Sequence, residues 1–175
     1  MGRRVVRRRP RGPRVVLTRL FVAVFPPPAE IAALAGALPP EAHLTRASTW
    51  HVTLVFLGLA PPAAVASILD GLPASPRFSL RLTGARQLGQ AACARVADSG
   101  ALGELREQVR EALTRGGFPP GSRPYQPHLT VTYRSDRSIR EALTAYDGAA
   151  WPVTEFALVS SQNGEYTTLR TWALA

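Results

Sequence analysis

Three histidines occur in the chain, and two of them head short apolar runs: "HVTLVFLG" from His51 and "HLTVTYR" from His128. Each has a threonine two positions on, Thr53 and Thr130. On a strand, residues i and i+2 project from one face, roughly 6.5–7 Å apart. Each pair therefore presents an imidazole beside a hydroxyl, while Val52, Leu54 and Leu129 turn the other way and suit a core. A neutral imidazole takes a proton and an imidazolium gives one. Two of them on opposite sides of one phosphate can act as general base and general acid for in-line displacement. A threonine hydroxyl can donate to a non-bridging phosphate oxygen. Such a site needs no metal and no covalent nucleophile, and no carboxylate, histidine or cysteine stands at zinc-ligand spacing beside either strand.

A lone His-x-Thr triplet is a weak signal. His43-Leu44-Thr45 is a third example, but the polar "RASTW" follows it, and it reads as an accident. The pairing carries the weight, because His51 and His128 lie at matching places in a duplicated order of elements. Strand patterns cover 19–25, 50–58 and 77–84, with helical patterns at 26–38 and 61–72 between them. The order then recurs: strands at 91–98, 127–134 and 151–160, helices at 101–113 and 138–146. The helix at 101–113 shows one apolar stripe of Leu102, Leu105, Val109, Ala112 and Leu113. Ser138 with Glu141 reads as a capping box. The histidines are 77 residues apart, the third strands 76. Each histidine strand is the middle one of its half, and a closing strand at 166–174 follows. The expected fold is α+β, a duplicated strand–helix–strand–helix–strand: two pseudo-symmetric lobes of antiparallel sheet with flanking helices around a central cleft. No glycine-rich phosphate loop follows any strand, which excludes a doubly wound nucleotide-binding fold.

The formal charge of +9 suggests a polyanionic partner until it is located along the chain. Eight of the 21 basic residues lie within 1–19, and from Leu20 onward 13 arginines face 12 acids. Residues 1–18 are expected to be a disordered Arg-rich tail, either a solvated extension or an arm on RNA phosphates. Residues 19–175 are expected to form one bilobal domain. A lone cysteine, Cys93, excludes an intrachain disulfide. No stretch approaches the roughly 18 apolar residues of a membrane helix. A cytoplasmic monomer without cofactor or membrane contact is expected.

These stretches resemble the two-histidine phosphoesterases, specifically the RNA 2′,3′-cyclic phosphodiesterases also described as 2′-5′ RNA ligase-like proteins. The resemblance covers about residues 19–174: "RLFVAVFPP" is similar to the opening strand, "HVTLVFLG" and "PHLTVTYR" to the two signatures, and "ALVSSQNGEYTTLRTWAL" to the closing strands. It implies a partner that is RNA or a nucleotide with a 2′,3′-cyclic phosphate end, hydrolysed to a 2′-phosphate. His128 would activate water, His51 would protonate the leaving 3′-oxygen, and Thr53 and Thr130 would hold phosphoryl oxygens.

The chain departs from that pattern at one point. The second motif commonly carries arginine five residues after its histidine, where this chain has Tyr133, followed by Arg134. On a regular strand Arg134 shares a face with His128 and Thr130, so it is the candidate substitute, and Tyr133 points away. A β-bulge at Thr132 would turn Tyr133 into the cleft instead. The rival readings are hydrolysis of another small cyclic nucleotide or a 2′-5′ linkage, with specificity in loops 84–91 and 116–126, or an RNA-binding module with an idle site. A binder should interleave basic and aromatic residues on a sheet face, and outside the tail no such pattern is visible in the sequence.

Overall fold

The computed structural model describes residues 15–97 and 100–175, so most of the Arg-rich tail lies outside the described residues. Thr18, placed in that tail by the sequence, is instead the buried first residue of a strand and pairs with Ala60.

In chain order the elements are β1 (Thr18–Val24), α1 (Pro28–Ala37), β2 (Val52–Ala60), α2 (Pro62–Asp70), β3 (Phe78–Leu88), β4 (Ala91–Ala97), α3 (Ala101–Arg115), β5 (His128–Thr132), α4 (Arg137–Ala145), β6 (Trp151–Val153), β7 (Glu155–Gln162) and β8 (Glu165–Ala173). A 3-10 turn, Ala47–Thr49, precedes β2. Helices α1 and α2 both start on proline, whose fixed φ suits the first helical position and whose missing N–H is not needed there. Helix α3 buries the stripe that its periodicity marks. Helix α4 is capped differently from the expected Ser138/Glu141 box. Asp136 accepts from Ile139 N at 2.9 Å and from Ser138 Oγ at 2.8 Å, leaving Glu141 to pair with Arg137. The Asp136 carboxylate reaches the open amide first, so the helix begins two residues earlier than the box would set it.

Two four-stranded antiparallel sheets form, ordered β2-β1-β7-β8 and β5-β4-β3-β6. The duplication holds with an exchange: β3, the third strand of the first half, joins β4 and β5, while β7 joins β1 and β2. Each histidine strand is middle in chain order but lies at the edge of its sheet. The expected single strand at 151–160 is broken at Thr154, and its two pieces belong to different sheets. Pro152 cannot donate to a ladder, which confines the short β6 to an edge. The strand expected at 77–84 runs on to Leu88, so most of the loop expected at 84–91 is hairpin.

One continuous core crosses both halves and includes Leu20, Val22, Leu54, Leu82, Leu129 and Ile139. Helix α3 packs on β2 and α2, helix α4 packs on β3 and β4, and β2 touches β5. The exchanged strands and the shared core hold the two histidine edges against each other, which a pair of independent lobes would not do.

Candidate active site

His51 sits immediately before β2, and its Nδ1 donates to the Thr49 carbonyl at 2.7 Å. A carbonyl can only accept, so Nδ1 carries the hydrogen and the neutral ring turns a bare Nε2 toward the Thr53 hydroxyl, 3.0 Å away. The ring stacks on Phe21 at 4.7 Å and meets the edge of Tyr166 at 5.4 Å. Burial lowers the His51 pKa, the Thr49 carbonyl raises it in part, and His128 lowers it again. Burial therefore holds His51 toward its neutral form.

His128 opens β5 and repeats the arrangement: its Nδ1 donates to the Gln126 carbonyl at 2.6 Å, again two residues upstream. The Gln126 side chain is fixed by Arg86, whose Nη1 donates to Oε1 at 2.6 Å. Thr130 lies opposite Cys93, with Oγ1 and Sγ 3.4 Å apart, and Cys93 lies opposite Arg86. Burial pushes the Cys93 thiol up, so it remains a thiol beside Thr130 rather than a charged nucleophile.

His51, Thr53, His128 and Thr130 all line one cleft of about 560 Å³, together with Phe56, Tyr133, Tyr166 and Arg46. Val52 and Leu129 behind them are wholly buried, which locks the His-x-Thr faces outward. Among the described residues no carboxylate lines the cleft, and no group of three or more possible metal ligands occurs. A groove of about 460 Å³ continues past Tyr133 over Leu88, Gln90 and Ala91.

The regular strand that would bring Arg134 into phase with His128 and Thr130 does not form. Between Thr130 and Thr132 the β5 chain advances two residues while β4 advances one, from Cys93 to Ala92. This bulge puts both Val131 and Thr132 on the core side, at 0% and 1% exposure. Thr132 Oγ1 then donates to the His43 carbonyl at 2.7 Å and accepts from Arg134 N at 3.0 Å. The strand ends at Thr132, Tyr133 lines the cleft at 64% exposure, and the Arg134 side chain is outside it.

Sequence reasoning missed Arg46, Phe21, Phe56 and Tyr166. One arginine and several aromatic rings share the cleft wall, but they come from separate segments, so no single stretch shows the set. Arg46 sits in the segment set aside as polar. That segment clasps both histidine strands: Thr45 N and Oγ1 donate to the Val131 carbonyl at 2.8 and 3.0 Å, while Thr49 holds His51. His43 contributes its backbone carbonyl, and its side chain is exposed. The loop at 116–126 is tied in as well, through Tyr125 OH donating to the Thr53 carbonyl at 3.0 Å.

The model of the 2′-5′ RNA ligase superfamily matches residues 24–165. The chain belongs to that superfamily. An RNA 2′,3′-cyclic phosphodiesterase of Geobacillus stearothermophilus is 37% identical over 91 residues, which make up 47% of this chain and 29% of that protein. One from Bacillus subtilis (strain 168) is 31% identical over 93 residues, 47% of this chain and 50% of that protein. The match thus spans half or less of these curated relatives. E. coli LigT, in a crystal structure with 3′-AMP, is 30% identical at a TM-score of 0.70, over 90% of this chain and 98% of LigT. TT0787 of Thermus thermophilus is 27% identical at a TM-score of 0.71, over 89% of this chain and 97% of TT0787. Both structures thus share the fold of this chain along nearly its whole length.

Proposed function

We propose that the protein hydrolyses RNA 2′,3′-cyclic phosphate ends to 2′-phosphates by metal-independent general acid–base catalysis. The observation that carries this reading is the repeated half-site: two imidazoles, each with Nδ1 bonded to a carbonyl two residues upstream, share one cleft with two threonine hydroxyls. The relatives named as RNA 2′,3′-cyclic phosphodiesterases support it.

In the proposed reaction the His128 Nε2 takes a proton from water as the water oxygen bonds to phosphorus. The bond from phosphorus to the 3′-oxygen breaks, and His51 Nε2 gives its proton to that oxygen. A 2′-phosphomonoester leaves, and solvent exchange returns the two rings to their starting states. Burial disfavours protonated His51, but an arriving phosphate anion shifts the balance the other way. Thr53 and Thr130 donate to the non-bridging oxygens as charge grows there. Phe56, Tyr133 and Tyr166 offer ring faces to the terminal nucleoside. Residues 19–175 act as one catalytic domain of a cytoplasmic monomer.

The test is incubation of purified protein, in EDTA, with oligoribonucleotides ending in 2′,3′-cyclic phosphate, followed by assignment of the product isomer. A 2′-phosphate is expected. A 3′-phosphate product would refute the role given to the leaving oxygen. Activity lost on chelation and restored by one particular metal would refute the metal-independent mechanism.

A further inference from the structure

We propose that Arg46 is the phosphate-binding cation of the cleft. The assignment rests on the phosphoesterase reading above for its substrate, but not for its placement. Attack on a phosphodiester monoanion builds a second negative charge on the phosphoryl oxygens. Threonine hydroxyls are neutral donors, and two histidines that divide base and acid duties supply one positive charge between them. A permanent cation within reach of the oxygens stabilises that charge throughout the reaction, and a guanidinium offers planar paired donors for it.

Among the described cleft-lining residues Arg46 is the one arginine, and no acid accompanies it. None of the ion pairs among the described residues includes it, so its charge is not neutralised by a carboxylate. One guanidinium nitrogen, Nη2, donates to the Gly164 carbonyl in the β7–β8 turn at 3.1 Å. This ties the side chain to a second cleft-lining residue and leaves further N–H donors for a ligand.

The backbone is fixed from both sides. The preceding residue, Thr45, is doubly bonded to Val131 of the bulge and accepts from the buried Trp50 indole at 2.9 Å. The Arg46 carbonyl accepts from Thr49 N at 2.8 Å and from Thr49 Oγ1 at 2.7 Å. Thr49 in turn holds the His51 imidazole. Arg46 is thus tied by short hydrogen-bonded paths to both histidine strands, as a residue must be to follow a phosphate held between them. Arg134, the arginine that a regular β5 would have placed there, lies outside.

The test uses the full chain and two probes. Inorganic phosphate binding is followed by calorimetry and by the imidazole resonances of His51 and His128, and turnover is followed on a nucleoside 2′,3′-cyclic phosphate. Arg46→Gln keeps a donor for the Gly164 carbonyl and removes the charge. It should weaken phosphate binding by about 10-fold or more and flatten its salt dependence, with an unchanged melting temperature. Arg46→Lys should recover part of the loss, and Arg134→Ala should bind phosphate like the wild type. Folded Arg46→Gln with wild-type phosphate affinity overturns the proposal, as does a wild type that binds no phosphate. Phosphate binding that depends on Arg46, in a protein that hydrolyses no cyclic phosphate, sinks the proposed reaction and leaves the cation site standing.

Discussion

At His51, Phe21, Phe25 and Tyr166 crowd the imidazole at 4.7–5.8 Å, and the residue is half-buried. At His128 none of the ring contacts among the described residues involves the imidazole, and the next polar layer is Gln126 and Arg86. Both rings are oriented by one device, an Nδ1–H bond to a carbonyl two residues back. A duplicated backbone therefore sets the same tautomer twice, while the sheet face behind each ring sets its environment separately. The sheet that carries β2 contributes an aromatic wall of Phe21 beside Ala23, Ala157 and Val159. The sheet that carries β5 contributes the row Arg86, Cys93 and Thr130 across three strands. On the proposed mechanism, two groups with opposite proton duties are obtained by changing the surroundings and keeping the scaffold.

Removing either ring is the most severe way to break that pairing. His51→Ala and His128→Ala should each lower the rate on a cyclic phosphate by about 10²–10⁴. His43→Ala should be near neutral, since its backbone rather than its ring is used. Comparable losses at His43 and His51 would contradict the choice of motif.

The next contrast sits at the bulge. Tyr133→Ala should raise KM several-fold by removing a ring face from the cleft, Tyr133→Phe should change it little, and Arg134→Ala should stay within about 2-fold of wild type in kcat/KM. A crippled Arg134→Ala beside a silent Tyr133→Ala would show that β5 runs straight in solution.

Burial sets the pH behaviour of His51. His51 is held below its ordinary value of 6.5, first by burial, then by the facing His128, against the Thr49 carbonyl. In the window between the lowered folded value and 6.5, the unfolded chain holds more protons on this group. Stability therefore falls as pH drops through that window. The melting temperature of the wild type should fall between pH 7 and pH 5, and His51→Gln should lose less over the same interval. Equal losses in the two proteins would mean that burial of His51 costs nothing on protonation. The smallest effect is expected from deleting residues 1–14, which should leave turnover of a cyclic mononucleotide unchanged.

The His-x-Thr faces were legible because a strand repeats every two residues and the intervening Val52, Leu54 and Leu129 mark the buried side. The order of elements was legible for the same kind of reason, local periodicity. The bulge was not: Val131 and Thr132 are both good strand residues, and nothing in "LTVTYR" says which one is extra. What decides it is the distant loop that accepts Thr132 Oγ1 at the His43 carbonyl. The exchange of β3 and β7 between sheets is likewise a non-local pairing, hinted at only by Pro152 within the apparent strand. Arg46 has no periodic context at all, and the segment that carries it is fixed by bonds from Thr45 and His43 to β5 residues more than eighty positions away.

The division of labour between the two rings can be read directly with a substrate whose 3′-oxygen is replaced by sulfur. A thiolate leaves without a proton, so loss of the general acid no longer matters while loss of the base still does. His51→Ala should turn over the 3′-thio cyclic phosphate at close to the wild-type rate and remain crippled on the oxygen substrate, whereas His128→Ala should be crippled on both. Rescue of His128→Ala in place of His51→Ala would reverse the roles, and rescue of neither would contradict acid–base catalysis by the pair.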